Sequence, residues 1–388
     1  MVTGQQERSK VQRRFDVIVV GVGSMGAATC CYLARRGVRV LGLEQFGIPH
    51  ALGAHHGHTR MIRTAYFEHP DYVPLLERAY ELWGELEDQS GEKLLYLTGG
   101  LYLGGQQSEL IAGAVAASKQ HGLPYQILTH AELQQKFPQF RLPSSQQGFF
   151  EDRAGVLLPE KVVATFAAQA MQYGAEIRGH EPVGDWESGS QGVTVRTPSN
   201  TYQADRVVFT GGAWSGKLLV DCGVQLAVTR QVLAWFSPRR IEPFALGTFP
   251  AWYLETESGY GHYGFPLLSG QPGFKIALHK PATVTDADHV NRQVQPQEIE
   301  QLRSVLREHI PNAVGPLVSA SVCLYSNSPD SHFIIDRHPQ KDRVWLACGF
   351  SGHGFKFSSV VGEALADLAT VGTTDLPIDF LRLSRFEK

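Results

Sequence analysis

The stretch Phe15–Glu44, FDVIVVGVGSMGAATCCYLARRGVRVLGLE, decides the fold. Phe15–Val20 is almost wholly apolar, as a strand buried on both faces should be. Gly21, Gly23 and Gly26 follow in the spacing G-x-G-x-x-G. A helical stretch opens at Ala27 and closes at Gly37, and Val38–Leu43 is a second buried strand ending on the acid Glu44. The whole is a βαβ unit. One glycine turns the chain sharply, one lets backbone amides reach a pyrophosphate, and one lets helix and strand pack closely. The helix N-terminus faces the phosphate charge, and Glu44 is placed to accept hydrogen bonds from ribose hydroxyls. The unit predicts dinucleotide binding and does not separate NAD from FAD.

Working outward, 388 residues suit about two domains. A hydrophobic share of 43% supplies ample core, and 35 basic against 38 acidic residues leave a net charge of −3. That balance points away from nucleic acid and from an acidic membrane surface. No apolar run approaches the ~18 residues of a membrane-spanning helix. Residues 1–14 are polar without an apolar centre, so they read as a disordered tail rather than a signal peptide. The five cysteines show no C-x-x-C spacing and no framework of pairs, which suits a reducing, cytoplasmic compartment.

After Glu44 the loop QFGIPHALGAHHGHTRMIRTAYFEHP carries His, Gly and Arg without helical period, as a functional loop near the cofactor would. His55, His56 and His58 lack a Cys or carboxylate at ligand spacing, so no metal site is expected. Helices are predicted over Tyr72–Leu86, Leu110–His121, Lys161–Tyr173, Pro296–His309 and Ser358–Thr370, with a capping box at Thr129 and Glu132. Leu94–Leu103, with Gly99-Gly100 inside it, reads as strand–turn–strand. Val207–Phe209 runs into Gly211-Gly212, small residues that let another body approach a strand end. Val228–Tyr263 is β-like and aromatic, as a sheet with a ligand-facing side would be, and Val344–Ala347 is a buried strand. Dinucleotide-type elements stand at both ends and in the middle, so two interwoven domains are expected.

Five separated stretches resemble the monomeric sarcosine oxidase and N-methyltryptophan oxidase family of flavoproteins. They are VGVGSMG, HHGHTRMIR, YGFP with GFKIALH, SVCLYS with HFIID, and GFSGHGFKFSS, in matching order over Phe15 to about Leu383. The resemblance implies an α/β protein. A discontinuous Rossmann-like FAD domain of the D-amino-acid oxidase type (15–93, 153–224 and 331–388) would be interwoven with a mixed-sheet substrate domain (94–152 and 225–330).

It also implies site residues. FAD would be covalently attached through the sulfur of Cys323, a reaction that nearby cations favour by stabilising a thiolate. Gly21, Gly23, Ser24, Met25 and Gly26 would hold its phosphates, with Glu44 and Gln45 at the ribose. His56, Thr59, Arg60, Val183 and Gly212 would line the rest of the cofactor. Gly352, His353, Gly354 and Lys356 would face the flavin pyrimidine edge, where amides stabilise charge gained on reduction. Arg63 and Lys356 would bind the substrate carboxylate. Arg60, Lys275, Tyr263 and His279 would be catalytic, Lys275 serving oxygen.

The implied reaction is oxidation of an N-methyl amino acid such as sarcosine with O2 and water. Its products are the demethylated amino acid, formaldehyde and H2O2, made by a monomer with a small-molecule substrate. N-methyltryptophan, pipecolate, proline or fructosyl amino acids are the alternative substrates, and a flavin-binding protein without turnover is the alternative class. Three departures bear on the substrate: His58 stands where an acid is usual, Glu44 replaces Asp, and Trp252–His262 is longer and more aromatic. Trp252 or Tyr253 would lie near the substrate side chain.

Overall fold

The computed structural model describes residues 14–280 and 283–387. The first strand runs Arg14–Val20, the helix Ser24–Arg35, and the second strand Val40–Leu43. The helix opens three residues earlier than the apolar pattern suggests, because Gly23 already takes the extended cap position and Ser24 enters the first turn. Arg14 belongs to the sheet, opposite Gln203 and ion-paired to Asp205, so the expected tail is one residue too long at its inner end. The rest of that tail, residues 1–13, lies outside the described residues.

An eight-stranded sheet forms around this unit, in the order Asp185–Gly189, Gly192–Arg196, Thr201–Phe209, Arg14–Val20, Val40–Leu43, Glu176–Arg178. Thr201–Phe209 has two neighbours on one edge. Its first half pairs antiparallel with Gly192–Arg196, and its second half pairs parallel with Val344–Cys348, to which Ile334–Arg337 is added. Helices Ser24–Arg35, Tyr72–Ser90, Pro159–Gln172 and Ser358–Val371 cover one face, with Val17, Val19, Leu33, Trp83, Phe166 and Leu365 in a shared core. Ile18, Val20, Leu41, Phe209 and Leu346 point the other way into a second core. Alternate residues of each strand therefore bury on opposite faces, the mark of a sheet covered on both sides.

A nine-stranded mixed sheet carries the remaining chemistry. Its order is Thr283–Val284, Ala227–Phe236, Phe274–Lys280, Gly261–Gly264, Ala251–Glu255, Gly100–Gly105, Gln146–Glu151, Gln126–Leu128, with Leu317–Asn327 also paired to Ala227–Phe236. Helix Pro296–His309 packs Leu302 and Leu306 against Ala234, Phe236 and Ile276 of this sheet. Leu94–Leu103 is strand–turn–strand as its sequence reads, with its two strands in different sheets. Leu95–Leu97 joins a small sheet with Arg60–Ile62 and Gly155–Leu157, and Gly100–Gly105 joins the large one. Gly99 makes the switch at φ +71, where a Cβ would lie 2.6 Å from the Phe150 ring. The Thr129–Glu132 capping box forms as the spacing predicts.

Candidate active site

The dinucleotide cradle is a cavity of about 370 Å³ at the carboxyl ends of the central strands. Gly21 is at φ +92, and a Cβ there would stand 2.6 Å from the Thr210 carbonyl oxygen. A Cβ on Gly26 would stand 1.8 Å from the Gly21 oxygen, so the turn closes only over glycine. Helix Ser24–Arg35 has no side-chain cap and no acid in its first turn. Its orphan N–H groups and positive dipole end suit an anion and have no internal substitute for one. The Glu44 carboxylate accepts from Val22 N at 2.9 Å and Phe46 N at 3.0 Å. Two bonds leave lone pairs for ribose hydroxyls, and burial pushes the Glu44 pKa up, against those amides. These features fit an FAD- or NAD-type dinucleotide. Gly23, Ser24, Met25, Gln45, Arg60, Val183, Gly212, Gly352 and Gly354 line the same cavity, whereas Gly26 lies beneath the turn.

Beside the cradle lies a cationic centre. Lys275 is 1% exposed, and its Nζ donates to Gly57 O at 2.7 Å, Thr59 O at 3.0 Å and Thr59 Oγ1 at 3.2 Å. Burial, then Arg60, push its pKa well down, whereas three oxygen acceptors favour the ammonium. Glu160 fixes this turn from below, accepting from Gly57 N at 2.6 Å and His58 N at 3.1 Å. His58 itself sits at φ +67, a left-handed conformation uncommon for a residue with a Cβ. Arg60 donates to Thr59 O and Ala54 O, both at 2.7 Å, and its Nη2 stands 3.6 Å from Cys323 Sγ. His56 is buried, with Nε2 lacking a partner among the described residues. Among the other four thiols, burial pushes Cys31 up to about 11, and Cys222 and Cys348 to about 12, with Cys30 raised further.

A second cavity, about 70 Å³, continues past Arg60. It brings together Arg63, Tyr263, His279, His353 and Lys356 from four separated stretches. Arg63 is buried, and its Nη2 donates to both Glu68 oxygens, at 2.6 and 2.7 Å. Its guanidinium lies 4.3 Å from the Tyr66 ring centre and 4.2 Å from that of Phe67. Burial pushes the Glu68 carboxyl up, but Arg63, His353 and Lys356 outweigh it and bring it to about 2. Lys356 Nζ donates to His353 O at 2.6 Å, and burial, then Arg63, lower its pKa well below the usual lysine value. The Tyr66 hydroxyl meets His353 Nδ1 at 2.5 Å, and Nε2 of that ring donates to Ser331 O at 2.9 Å. Burial, ahead of Lys356 and Arg63, lowers His353 to about 4, so the ring is neutral near pH 7. His279 Nδ1 faces the Tyr325 hydroxyl at 3.3 Å.

Glu68, Tyr325 and Thr210 were not among the sequence-predicted site residues. Tyr325 lies two residues beyond Cys323 in one strand, so alternation puts both on one face. Glu68 had a weaker signal, an acid five residues after Arg63 in a loop rather than a helix. Of the two aromatics offered for the substrate side chain, only Tyr253 lines the second cavity. Trp252 faces the opposite side, fully buried and stacked on Phe274 at 6.3 Å, because neighbours in a strand point apart. Among the described residues Asp221, Cys222 and His338 bring ligand-type atoms within 4.8 Å of one another. Their polarity is wrong for a metal. His338 Nδ1 accepts from Gln340 N at 3.2 Å, so Nε2 carries the proton it gives Asp221 at 2.9 Å, and Lys341 also holds that carboxylate.

The fold and the glycine-built cradle define a class of protein: the family described as FAD dependent oxidoreductase matches residues 16–368. The monomeric sarcosine oxidase of Streptomyces avermitilis is 42% identical over 367 residues, covering 94% of this chain and 96% of that one. The N-methyl-L-tryptophan oxidase of Yersinia pestis is 34% identical, covering 96% and 99%. The open form of NikD, an unusual amino acid oxidase essential for nikkomycin biosynthesis, superposes with a TM-score of 0.85 at 25% identity, covering 95% and 97%. The chain belongs to the sarcosine oxidase family of FAD-dependent oxidases. Among the described residues no helix is long and apolar enough to cross a membrane.

Proposed function

We propose that the protein oxidises a small N-methyl amino acid, sarcosine being the best fit, with the carboxylate held by Arg63 and Lys356. The observation that carries this reading is the second cavity. It is small, about 70 Å³, walled by Phe67 and Tyr253, and has two buried cations at one end. Such a space suits a short amino acid better than an indole side chain. Arg63 offers a planar fork and Lys356 a compact second charge, a combination suited to a carboxylate. The amine then lies toward His279, Tyr263 and Tyr325. His279, its Nδ1 facing the Tyr325 hydroxyl, is the side chain able to take the proton from an arriving ammonium and leave the nitrogen lone pair free.

FAD, when bound, would supply the two-electron acceptor for oxidation of the N-methyl carbon and the means of passing those electrons to oxygen. The residues of this chain that serve it are the cradle from Gly21 to Gly26, Glu44 and Gln45 at the ribose, and Gly352 and Gly354 at the pyrimidine edge. Cys323 carries the covalent attachment, supported by the Arg60 guanidinium 3.6 Å from its sulfur. Lys275 keeps a fixed positive charge for the oxygen step. In sum, one N-methyl amino acid, O2 and water give the demethylated amino acid, formaldehyde and H2O2. The two-domain division at residues 94, 153, 225 and 331, the monomeric state and the cytoplasmic location belong to the same reading. The names of the bacterial monomeric relatives and the five unpaired cysteines support its last two parts.

A peroxide assay across sarcosine, N-methylalanine, N-methyltryptophan, pipecolate, proline and fructosyl amino acids tests it. Sarcosine should give the highest kcat/KM, with stoichiometric formaldehyde. A preference for N-methyltryptophan or a fructosyl amino acid overturns the substrate, and colour released wholly on acid precipitation overturns attachment at Cys323.

A further inference from the structure

We infer that Glu151, on the large sheet and outside both cavities, is a positioning residue for Arg63. The inference rests on the reading of Arg63 as the carboxylate-binding group and deepens it. Arg63 is the first residue after strand Arg60–Ile62, and the segment from 63 to 68 curls back so that Tyr66, Phe67 and Glu68 surround its guanidinium. A curl of this kind has backbone amides that no strand partner satisfies. Glu151 supplies the missing acceptor. It is 3% exposed, and its Oε2 accepts from Thr64 N at 3.0 Å and Ala65 N at 3.1 Å.

The other carboxylate oxygen, Oε1, accepts from the Tyr102 hydroxyl. Tyr102 stands across from Phe149 on the paired strand and stacks on it at 5.4 Å, and its ring centre is 5.8 Å from the Arg63 guanidinium carbon. Glu151 is thus held rigidly on its own sheet by one oxygen while the other grips the start of the Arg63 loop, which belongs to a different sheet. A carboxylate buried this deeply is expensive unless its bonds are made. Burial does push the Glu151 pKa up, while Tyr102, the two amides and Arg63 favour the ionised form. The arrangement leaves Arg63 free to exchange Glu68 for a substrate carboxylate without the backbone following it.

The test uses the flavin-loaded enzyme, with propionate as the carboxylate probe read by its perturbation of flavin absorbance. Glu151→Ala leaves two buried amides unpaired, so propionate Kd and substrate KM should rise about tenfold or more, with kcat at saturation within about threefold. Glu151→Gln keeps an oxygen for the two amides and should stay within about threefold of the parent. Tyr102→Phe removes only the hydroxyl that orients the carboxylate and should weaken propionate about three- to fivefold, which covers the case of an Ala variant that does not fold. An amine substrate without a carboxylate should be turned over by these variants as well as by the parent. Propionate bound as tightly by Tyr102→Phe and Glu151→Ala as by the parent overturns the inference, and so do equal losses on the amine lacking a carboxylate. Arg63→Met is run beside them. If it too binds propionate normally, the reading of Arg63 has failed; if it alone weakens, only the role of Glu151 has.

Discussion

The dinucleotide cradle and the amino-acid cavity adjoin one another and are built on opposite plans. The cradle is mostly backbone: three glycines, an uncapped helix end and one acid, all within Phe15–Glu44. The cavity is mostly side chain. Tyr253, Tyr263, His279 and Tyr325 come from four strands of the nine-stranded sheet, Arg63 and Glu68 from the loop after Arg60–Ile62, and Lys356 from the turn before Ser358–Val371. A backbone site has little to adjust, so it accepts one kind of ligand and tolerates almost no substitution. A side-chain site carries its own stand-ins. Glu68 already occupies Arg63 as a ligand carboxylate would, and the neutral ring of His353, bonded to the Tyr66 hydroxyl, belongs to the same segment as Lys356.

The largest expected effect breaks the cradle outright. Gly26→Val would drive atoms into the Gly21 oxygen, which already lies 1.8 Å from an added Cβ. Purified protein should carry no flavin absorbance, whereas changes in the second cavity should leave it bound. Next comes the cation between the two regions. Lys275→Met should slow reoxidation of the reduced enzyme by about 100- to 1,000-fold while anaerobic reduction by substrate changes much less. Stopped-flow traces with and without oxygen separate the two, and equal slowing would make Lys275 structural.

Arg63→Ala acts on the cavity alone. Loss of a buried charge-assisted interaction costs roughly 2–4 kcal/mol, so carboxylate ligands should weaken by roughly 30- to 1,000-fold. Lysine at 63 should recover only part of this, because it lacks the fork. The smallest effect has the opposite sign. Glu68→Gln removes the competitor's charge but keeps an oxygen that can still accept from Arg63, and propionate should bind roughly three- to tenfold tighter, the scale of ~1 kcal/mol. Its pH dependence follows from the depressed pKa of about 2 against an ordinary 4.5. The pair's contribution is complete above the unfolded value and is lost only as pH falls toward 2. The Glu68→Gln advantage should therefore be flat from pH 6 to 9 in an inhibitor titration.

The same contrast explains what could be read without coordinates. The cradle was legible because strand, turn, helix and acid follow one another, and each constrains its neighbour. Only boundaries slipped: the first strand begins at Arg14 and the second at Val40. The helix starts early, since Ser24 and Met25 look like turn residues until Gly23 is known to be the cap. Leu94–Leu103 showed its two strands and the turn between them, but local turn chemistry says nothing of which sheet each arm will join. Trp252 and Tyr253 were equivalent candidates for a like reason. Parity along Ala251–Glu255 is set by partners at Gly100–Gly105 and Gly261–Gly264, not by the segment itself. The hold of Glu151 on Thr64 and Ala65 spans more than eighty positions, with no pattern at either end to announce it.

The arrangement of the eight-stranded sheet also has a bearing on how the enzyme is made. Its first strand is translated by Val20, but the neighbour of Thr201–Phe209 that carries the sheet onward begins at Val344. Helix Ser24–Arg35, whose uncapped N-terminus opens on the cradle, is backed by Ser358–Val371, where a Cβ on Gly362 would stand 2.5 Å from that of Ala28. A ribosome emits the chain from the N-terminus. The nascent protein therefore holds a nearly finished nucleotide motif for most of its synthesis, with apolar strand and helix surface awaiting a cover that is made last. Capture of the vitamin-derived cofactor becomes a post-translational event, and cells short of riboflavin should accumulate a full-length, colourless precursor rather than truncated chains.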